Sequence, residues 1–314
     1  KYPDFARRVG HFVEASQGCH IWIIGNEMNY WVERPGAYAS PDLPFSRDPD
    51  PIARDSELRS LPDRFAALHP ERPLSRGVDH GQAITPSDYG RCYSLCREEV
   101  KKRPGRANDQ LLVGSVAPWN NNTAYPGNPD GDWVQYFQDI LTALGPEKCD
   151  GISLHTYTHG TDKALVTSDG KMNPPFQNRH YHFFTYRDFM QAVPANMRHL
   201  PVYITEADED HPWEDANNGW VKAAYAEIHR WNQTPGNQQI RSLILYRWPD
   251  RDRWVMESKR GVIEDFKEAL TNEYRWNPTP SVELPGSQLG AASFKTGSSV
   301  YTTTVVRLRR SPGV

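Results

Sequence analysis

The chain has 314 residues, of which 38% are hydrophobic and 24% are charged, a balance that excludes an intrinsically disordered chain. Its 36 Lys and Arg against 39 Asp and Glu give a net charge of −3, which excludes the basic surface typical of nucleic-acid-binding and membrane-surface proteins. No apolar run approaches the roughly 18 residues of a transmembrane helix, and the residues after Lys1 predict a polar helix rather than a signal peptide.

Helix and strand signals alternate along the chain. Apolar residues at helical spacing predict helices over residues 3–17, 85–102, 131–144, 180–193, 219–232 and 262–274. Short apolar runs predict strands over residues 21–24, 111–118, 150–157, 201–208 and 240–248. The Pro-rich stretch over 30–84 predicts a long loop with a short helix near 58–68.

Three of the helix starts carry capping signals. Asp4 stands near the start of the first helix, Thr85 followed by Pro86 opens the second, and Asp132 opens the third. Short side chains with an oxygen acceptor cap the free amides of a first helical turn, and Pro is tolerated there because its missing amide has no partner to lose. We therefore expect these residues to define the helix starts.

Strands that alternate with helices are typical of a parallel sheet covered by helices. No G-x-G-x-x-G follows a strand and no G-x-x-x-x-G-K-Ser/Thr occurs, so the phosphate cradles of dinucleotide-binding and P-loop proteins are lacking. A barrel or an open sheet remains. The alternation stops at about residue 277, and residues 300–310 (VYTTTVVRLRR) have the period of a single strand, which predicts a C-terminal appendage that is partly β.

The cysteines do not predict a metal site. They form neither a C-x-x-C pair nor a His/Cys ligand pattern, so structural zinc is not expected. We expect four unpaired thiols, at Cys19, Cys92, Cys96 and Cys149.

Two glutamates follow apolar strands. The first strand ends in Asn26-Glu27 and the fourth in Thr205-Glu206. In a (β/α)8 barrel the carboxyl ends of the strands meet at one face, where the chemistry takes place. Two carboxyls at one cleft are the machinery of glycoside hydrolysis, in which one is protonated and the other ionised. The alternative is that both are structural acids bonded to loop amides.

The residues around these glutamates resemble clan A retaining glycoside hydrolases. IWIIGNEMN resembles the Asn-Glu signature at the end of the fourth barrel strand, and VYITEAD resembles the nucleophile strand, the seventh. The resemblance covers roughly residues 20–275. It implies an α/β fold of the (β/α)8 TIM-barrel type, with Glu27 as general acid/base, Glu206 as nucleophile, and neither a cofactor nor a metal.

The same resemblance implies further substrate-binding residues. Asn26 would bond the sugar 2-hydroxyl, Tyr157 would orient the nucleophile, and Trp248 would form an aromatic platform beneath the sugar. His155, in the same H-x-Y as Tyr157, and Trp119, which follows a strand, are added as candidate sugar contacts. The alternatives are an ordinary core histidine at 155 and a tryptophan at 248 that only closes the mouth of the barrel.

The strand count leaves the barrel incomplete. If Glu27 ends the fourth strand, the first three βα units are missing from this sequence, and the 38 residues over 277–314 are too few to supply three units of about 30 residues. We expect a partial glycosidase-like domain over 1–276, with the loop over 30–84 at its active face and an appendage over 277–314. Because an isolated remnant would expose apolar strand edges, we expect the sequence to be part of a longer chain.

The function predicted from these features is a retaining glycosidase that cleaves a β-linked glycan by double displacement. Its partner is an oligosaccharide or polysaccharide, with no nucleic acid and no membrane. One alternative is an inactive glycan-binding relative on the same barrel. Another is an unrelated barrel hydrolase that uses a metal, for which only His155 qualifies as a ligand. The sugar, the linkage, endo or exo action, the oligomeric state and the cellular location stay open.

The acidic run Asp208-Glu209-Asp210 follows the strand of the second glutamate. A charge run is usually a solvated face, so we predict a solvated loop beside the cleft. Contact with substrate hydroxyls or with a calcium ion is the alternative.

Overall fold

The structure is a computed structural model that describes residues 1–39, 78–248 and 254–274. The helices in these ranges are α1 (Tyr2–Ala15), α2 (Pro86–Lys101), α3 (Trp133–Leu144), α4 (Thr185–Ala192), α5 (Trp220–Gln233) and α6 (Arg260–Leu270). The strands are β1 (Ile21–Ile24), β2 (Tyr38–Ala39), β3 (Val78–Asp79), β4 (Gln110–Val113), β5 (Gly151–Tyr157), β6 (Val202–Asp208) and β7 (Ile240–Leu245). The helix predicted near 58–68 and the appendage predicted over 277–314 lie outside the described residues.

Five of the strands form one parallel sheet in the order β1-β4-β5-β6-β7. The two short strands, β2 and β3, form a separate antiparallel pair. The predicted α/β fold with a parallel sheet is therefore confirmed. In the described part of the chain β1 and β7 each have one neighbour in the sheet, so the closed eight-stranded barrel stays a prediction.

Two of the three predicted caps are present. The side-chain oxygen of Thr85 accepts from the amide of Asp88 (3.2 Å), whose carboxylate accepts from the amide of Thr85 (3.3 Å), a reciprocal capping box. The carboxylate of Asp132 accepts from the first amides of α3. The prediction for Asp4 was wrong: Lys1 precedes the helix, and Asp4 lies inside its first turn.

Two elements each lose five residues at one end of their predicted ranges. The strand predicted to reach residue 118 leaves the sheet after Val113, since the next amide, that of Gly114, donates to the hydroxyl of Tyr89 (2.7 Å) instead of to a strand. The helix predicted from residue 180 begins at Thr185, because the amide of His180 donates to the carboxylate of Asp188 (2.7 Å). In both places a side-chain partner replaces a backbone partner.

Aromatic side chains form much of the core between the helices and the sheet. The largest fully buried side chains include eight aromatic ones: Trp133, Trp220, Tyr93, Tyr136, Tyr186, Phe137, Phe183 and Phe189. Buried tyrosines also bond the strands, as where the hydroxyl of Tyr93 donates to the carbonyl of Leu111 (2.6 Å). These aromatic side chains are therefore part of the core. The four cysteines are free thiols, and no helix in the described residues is long and apolar enough to cross a membrane.

Gly114 brings the ends of β1 and β4 close together. A Cβ atom at this position would lie 2.6 Å from the carbonyl oxygens of Ile24 and Gly25, far inside van der Waals contact. Only glycine fits where the two chains approach this closely. The contact sets the position of the loop that follows β1, and that loop carries Glu27.

Candidate active site

Glu27 lies in the loop after β1 with a left-handed backbone, at φ 45°. For a residue other than glycine this conformation costs about 1–2 kcal/mol. Two backbone hydrogen bonds hold it: Glu27 donates to the carbonyl of Ser115 (2.8 Å) and accepts from the amide of Tyr30 (2.8 Å). The loop after β1 is thereby tied to the loop after β4, with Glu27 only 5% exposed.

Glu206 lies on β6 and pairs with His155 of β5 across the parallel ladder, whose register shifts just before His155. Successive side chains of a strand point to opposite faces, so His155 and Tyr157 share a face of β5. His155 is 2% exposed and Tyr157 6%, whereas the Glu206 side chain is 19% exposed. The site is thus closed at its centre and open on the side of Glu206.

The two glutamates meet at the hydroxyl of Tyr157. This oxygen lies 3.3 Å from Oε1 of Glu27 and 3.1 Å from Oε2 of Glu206. The ring of His155 lies between the same carboxylates, with Nδ1 2.9 Å from Oε1 of Glu27 and Nε2 3.8 Å from Oε1 of Glu206. Glu27 and His155 are 128 positions apart in the sequence. The fold nevertheless brings them together with Glu206 at the carboxyl ends of three strands.

The carboxylates are close enough to act on one bond. Ligand-type atoms of Glu27, His155 and Glu206, one from each residue, all lie within 4.8 Å of one another. Proton transfer between side chains and a bound molecule needs contacts of about 2.6–3.2 Å. A molecule that fits between these carboxylates can therefore contact both of them, together with the Tyr157 hydroxyl.

The other sugar-contact candidates are distributed differently. Asn26 is exposed and Trp248 is 52% exposed, so both side chains are accessible to a ligand. Trp119 is only 3% exposed: its indole N–H donates to the carbonyl of His180 (2.9 Å), and its ring packs 6.1 Å from that of Tyr157. Trp119 therefore packs behind the Tyr157 ring and presents no open face.

A stack of rings beside Trp119 was not predicted from the sequence. The rings of His159 and Tyr181 stack at 3.8 Å and 6°, and His159 lies 4.3 Å from Trp119. His182 adjoins them, and burial lowers the pKa of its imidazole below the usual value. The alternation of His155, Tyr157 and His159 is a signal in the sequence that could have found the start of this stack.

Asn29, Arg34 and Thr123 form a second group that the sequence did not predict, which we call the loop clamp. The amide of Asn29 accepts from the backbone N–H of Ala117 (2.8 Å) and donates to its carbonyl (2.9 Å). The guanidinium of Arg34 donates to the hydroxyl of Thr123 (2.8 Å) and to the carbonyl of Asn122 (2.7 Å). The hydroxyl of Thr123 donates to the carbonyl of Asn29 (2.7 Å). The clamp therefore holds the segment that follows Glu27 against the loop after β4.

The acidic run after Glu206 is not a solvated loop, and that prediction was wrong. Asp208 is 0% exposed and Glu209 is 1% exposed, and β6 continues through Asp208. Burial raises the pKa of Glu209 to about 7, and the carboxylates of Glu214 and Asp265 add to the effect. One Glu209 oxygen accepts from the side-chain amide of Asn218 (2.7 Å), while the other has no hydrogen-bond partner among the described residues.

Metal-ligand chemistry is also available at the centre of the site. Glu27, His155 and Glu206 are the only group of three or more His, Cys, Asp or Glu side chains close enough to share an ion within residues 1–39, 78–248 and 254–274. The sequence identified His155 alone as a strand-end ligand for a metal. The carboxylates join it only because the fold brings the ends of β1, β5 and β6 together.

Comparisons with known proteins do not assign a family. No family model matches the sequence, and no curated protein matches it. Among solved structures, a GH128 (subgroup II) endo-β-1,3-glucanase from Sorangium cellulosum is 14% identical with a TM-score of 0.39, and the match covers 83% of this chain and 94% of that one. A xyloglucanase of glycoside hydrolase family 44 from Paenibacillus polymyxa is 9% identical with a TM-score of 0.41, and the match covers 84% of this chain but only 49% of that one. At this level of similarity neither likeness assigns the chain to a family or an activity.

Proposed function

We propose that this chain carries the catalytic centre of a retaining glycoside hydrolase that acts on a β-linked glycan. The observation that supports the proposal is the meeting of the Glu27 and Glu206 carboxylates at the Tyr157 hydroxyl, at 3.3 and 3.1 Å. Retaining enzymes hold their carboxyls about 5–5.5 Å apart, whereas inverting enzymes leave about 6.5–9.5 Å for a water molecule. Carboxylate oxygens within 4.8 Å of one another favour retention.

In this mechanism Glu206 attacks the anomeric carbon while Glu27 gives its proton to the glycosidic oxygen. The bond to the leaving group breaks, and a glycosyl ester forms on Glu206. Glu27, now ionised, then removes a proton from a water molecule that attacks the same carbon and releases Glu206. Two inversions give overall retention, and the proton returns to Glu27.

His155 and Tyr157 act on the two carboxylates in different ways in this proposal. The Tyr157 hydroxyl donates to Oε2 of Glu206 (3.1 Å), which leaves Oε1 as the attacking oxygen. The ring of His155 lies against Oε1 of Glu27 (2.9 Å) and sets the orientation of that side chain. The exposed Asn26 and Trp248 are the sugar contacts we propose at the open side of the site, where a flat indole face suits a sugar ring.

The test is hydrolysis of a panel of β-linked glycans by the chain and by its Glu27→Gln and Glu206→Gln variants. Each variant should lose about 10²–10⁴-fold or more in kcat, the range of a general acid/base or nucleophile. Glu98→Gln, at an exposed position of α2, is the matched control and should keep full activity.

Azide distinguishes the roles of the two glutamates. With an activated aryl glycoside, azide should rescue Glu27→Gln to give a β-glycosyl azide and rescue Glu206→Gly to give the α-anomer. Wild-type activity in either Gln variant would refute the assignment. Binding of a glycan without hydrolysis by the wild type would favour the glycan-binding alternative.

A further inference from the structure

We propose that Glu27, His155 and Glu206 also bind a divalent transition-metal ion of the zinc type, which competes with the glycan for the two carboxylates. The three ligands come from the ends of β1, β5 and β6. Metal binding by these residues is a different activity from the proposed glycoside hydrolysis, which uses no metal. The binding itself is independent of the proposed function. Only the competition with the glycan rests on it.

The donor set selects the ion. One imidazole nitrogen and two carboxylate oxygens are ligands of catalytic zinc sites, in which three protein ligands leave a fourth position for water. Two carboxylates with a neutral imidazole also balance a charge of +2. Mg²⁺ and Ca²⁺ prefer six or more oxygen ligands. A set of three protein ligands that includes an imidazole nitrogen therefore disfavours both ions.

The geometry is near that of a bound ion. Metal–ligand bonds of about 2.0–2.2 Å place the ligands of a tetrahedron roughly 3.4 Å apart. One ligand atom from each of the three residues lies within 4.8 Å of the others, and Nδ1 of His155 lies 2.9 Å from Oε1 of Glu27. The proposal requires the glutamate side chains to rotate so that both bind the ion together with one nitrogen of His155.

Burial of two of the ligands slows release of the ion, and the partly exposed Glu206 gives it a route of access. Glu27 is 5% and His155 2% exposed, so neither ligand is fully solvated before the ion binds. The Glu206 side chain, at 19% exposed, opens the site on one side, where the fourth ligand is water. An ion in this position binds the two carboxylates that the proposed mechanism uses as nucleophile and general acid.

The experiment is a calorimetric titration of the chelator-treated chain with ZnCl₂, followed by Co²⁺ absorption spectroscopy. One ion per chain is expected, with a Co²⁺ spectrum of four- or five-coordinate nitrogen and oxygen ligation and no thiolate charge-transfer band. Because Cys19 and Cys92 are only partly buried thiols, the titration is repeated on the alkylated chain and should be unchanged. Glu27→Gln, His155→Gln and Glu206→Gln should each weaken binding at least about tenfold, since even the partners of metal ligands are worth 10–100-fold.

Glu209→Gln is the matched control, since it removes a buried carboxylate three residues from Glu206 without removing a ligand, and its affinity for zinc should match that of the wild type. Circular dichroism of each ligand variant tests for folding, and the Co²⁺ spectrum of the wild type reports the ligands without any variant. Absence of stoichiometric binding at millimolar zinc, or unchanged affinity in His155→Gln and Glu206→Gln, would overturn the inference.

The activity assay separates this inference from the proposed function. Zinc should raise the apparent KM for the glycan and leave kcat unchanged, and chelation should restore the KM. If the chelated chain hydrolyses glycans but binds no zinc, the metal site is refuted and the proposed function stands. If the chelated chain is inactive and zinc restores turnover, the metal-free mechanism is refuted, and so is the proposed competition between zinc and the glycan.

Discussion

Replacing Glu209 by Gln tests whether a buried carboxyl behind the active site is protonated near neutral pH. Glu209 is 1% exposed, and one of its oxygens has no hydrogen-bond partner in the part of the chain that the structure describes. Burial and the carboxylates of Glu214 and Asp265 raise its pKa to about 7, against the opposing effects of Asn218 and Lys259. Gln has nearly the same shape and carries no charge, so the substitution removes the titration with little change in volume.

The sign of the effect follows from proton uptake. In the unfolded chain the Glu209 carboxyl loses its proton near the ordinary value of 4.5, whereas in the folded chain it keeps the proton up to about pH 7. Folding therefore binds a proton between these values, and the wild type loses stability as the pH rises through that range. Each pKa unit corresponds to about 1.4 kcal/mol, so the full loss by pH 8 is about 3 kcal/mol.

The assay is urea-induced unfolding at pH 5, 6, 7 and 8, with the free energy of unfolding of Glu209→Gln compared with that of the wild type at each pH. The difference should grow in favour of the variant by about 2.5 kcal/mol from pH 5 to pH 8, because part of the loss has already occurred by pH 5. Any constant cost of burying the Gln amide cancels, because only the change with pH is used. Glu98→Gln, on an exposed surface, should give a flat difference. A flat difference for Glu209→Gln as well would refute the reasoning.

Four further substitutions test the packing around the site and one proposed sugar contact. Arg34→Met removes the hydrogen bonds that Arg34 makes in the loop clamp, and it should lower the free energy of unfolding by about 1–3 kcal/mol. It should also lower kcat more than it changes KM. An unchanged kcat on the best substrate would show that the clamp does not position Glu27. Gly114→Ala places a Cβ 2.6 Å from two carbonyl oxygens and should lower the free energy of unfolding in urea. Its control is Gly90→Ala in α2, where the nearest atom, of Leu144, lies 3.6 Å from the new Cβ, and this variant should be stabilised by about 0.5–1 kcal/mol. Equal effects of the two substitutions would contradict the steric explanation. Trp248→Ala should raise KM for an active glycan with little change in stability, since the ring is 52% exposed, and an unchanged KM would remove it from the sugar site.

The sequence by itself determined the features that depend on neighbouring residues. The strand and helix order follows from apolar periodicity, and the starts of α2 and α3 follow from Thr85 and Asp132, because a cap bonds amides only two or three residues away. The positions of Glu27 and Glu206 after apolar strands are likewise local. The parallel sheet was predictable for the same reason, since strands that alternate with helices pair in parallel.

The burial, hydrogen bonds and distances that depend on residues far apart in the sequence are set by the tertiary structure. Periodicity does not specify that Asp208 and Glu209 are buried, so the acidic run was wrongly predicted to be solvated. Nor does it specify that Arg34 bonds Thr123, 89 residues away, or that Trp119 packs behind Tyr157. The approach of Glu27, His155 and Glu206 to within 4.8 Å is of the same kind. A strand pattern names the residues at the end of each strand, but only the register, twist and close approach of the strands set the distances between their side chains, and those distances determine the chemistry.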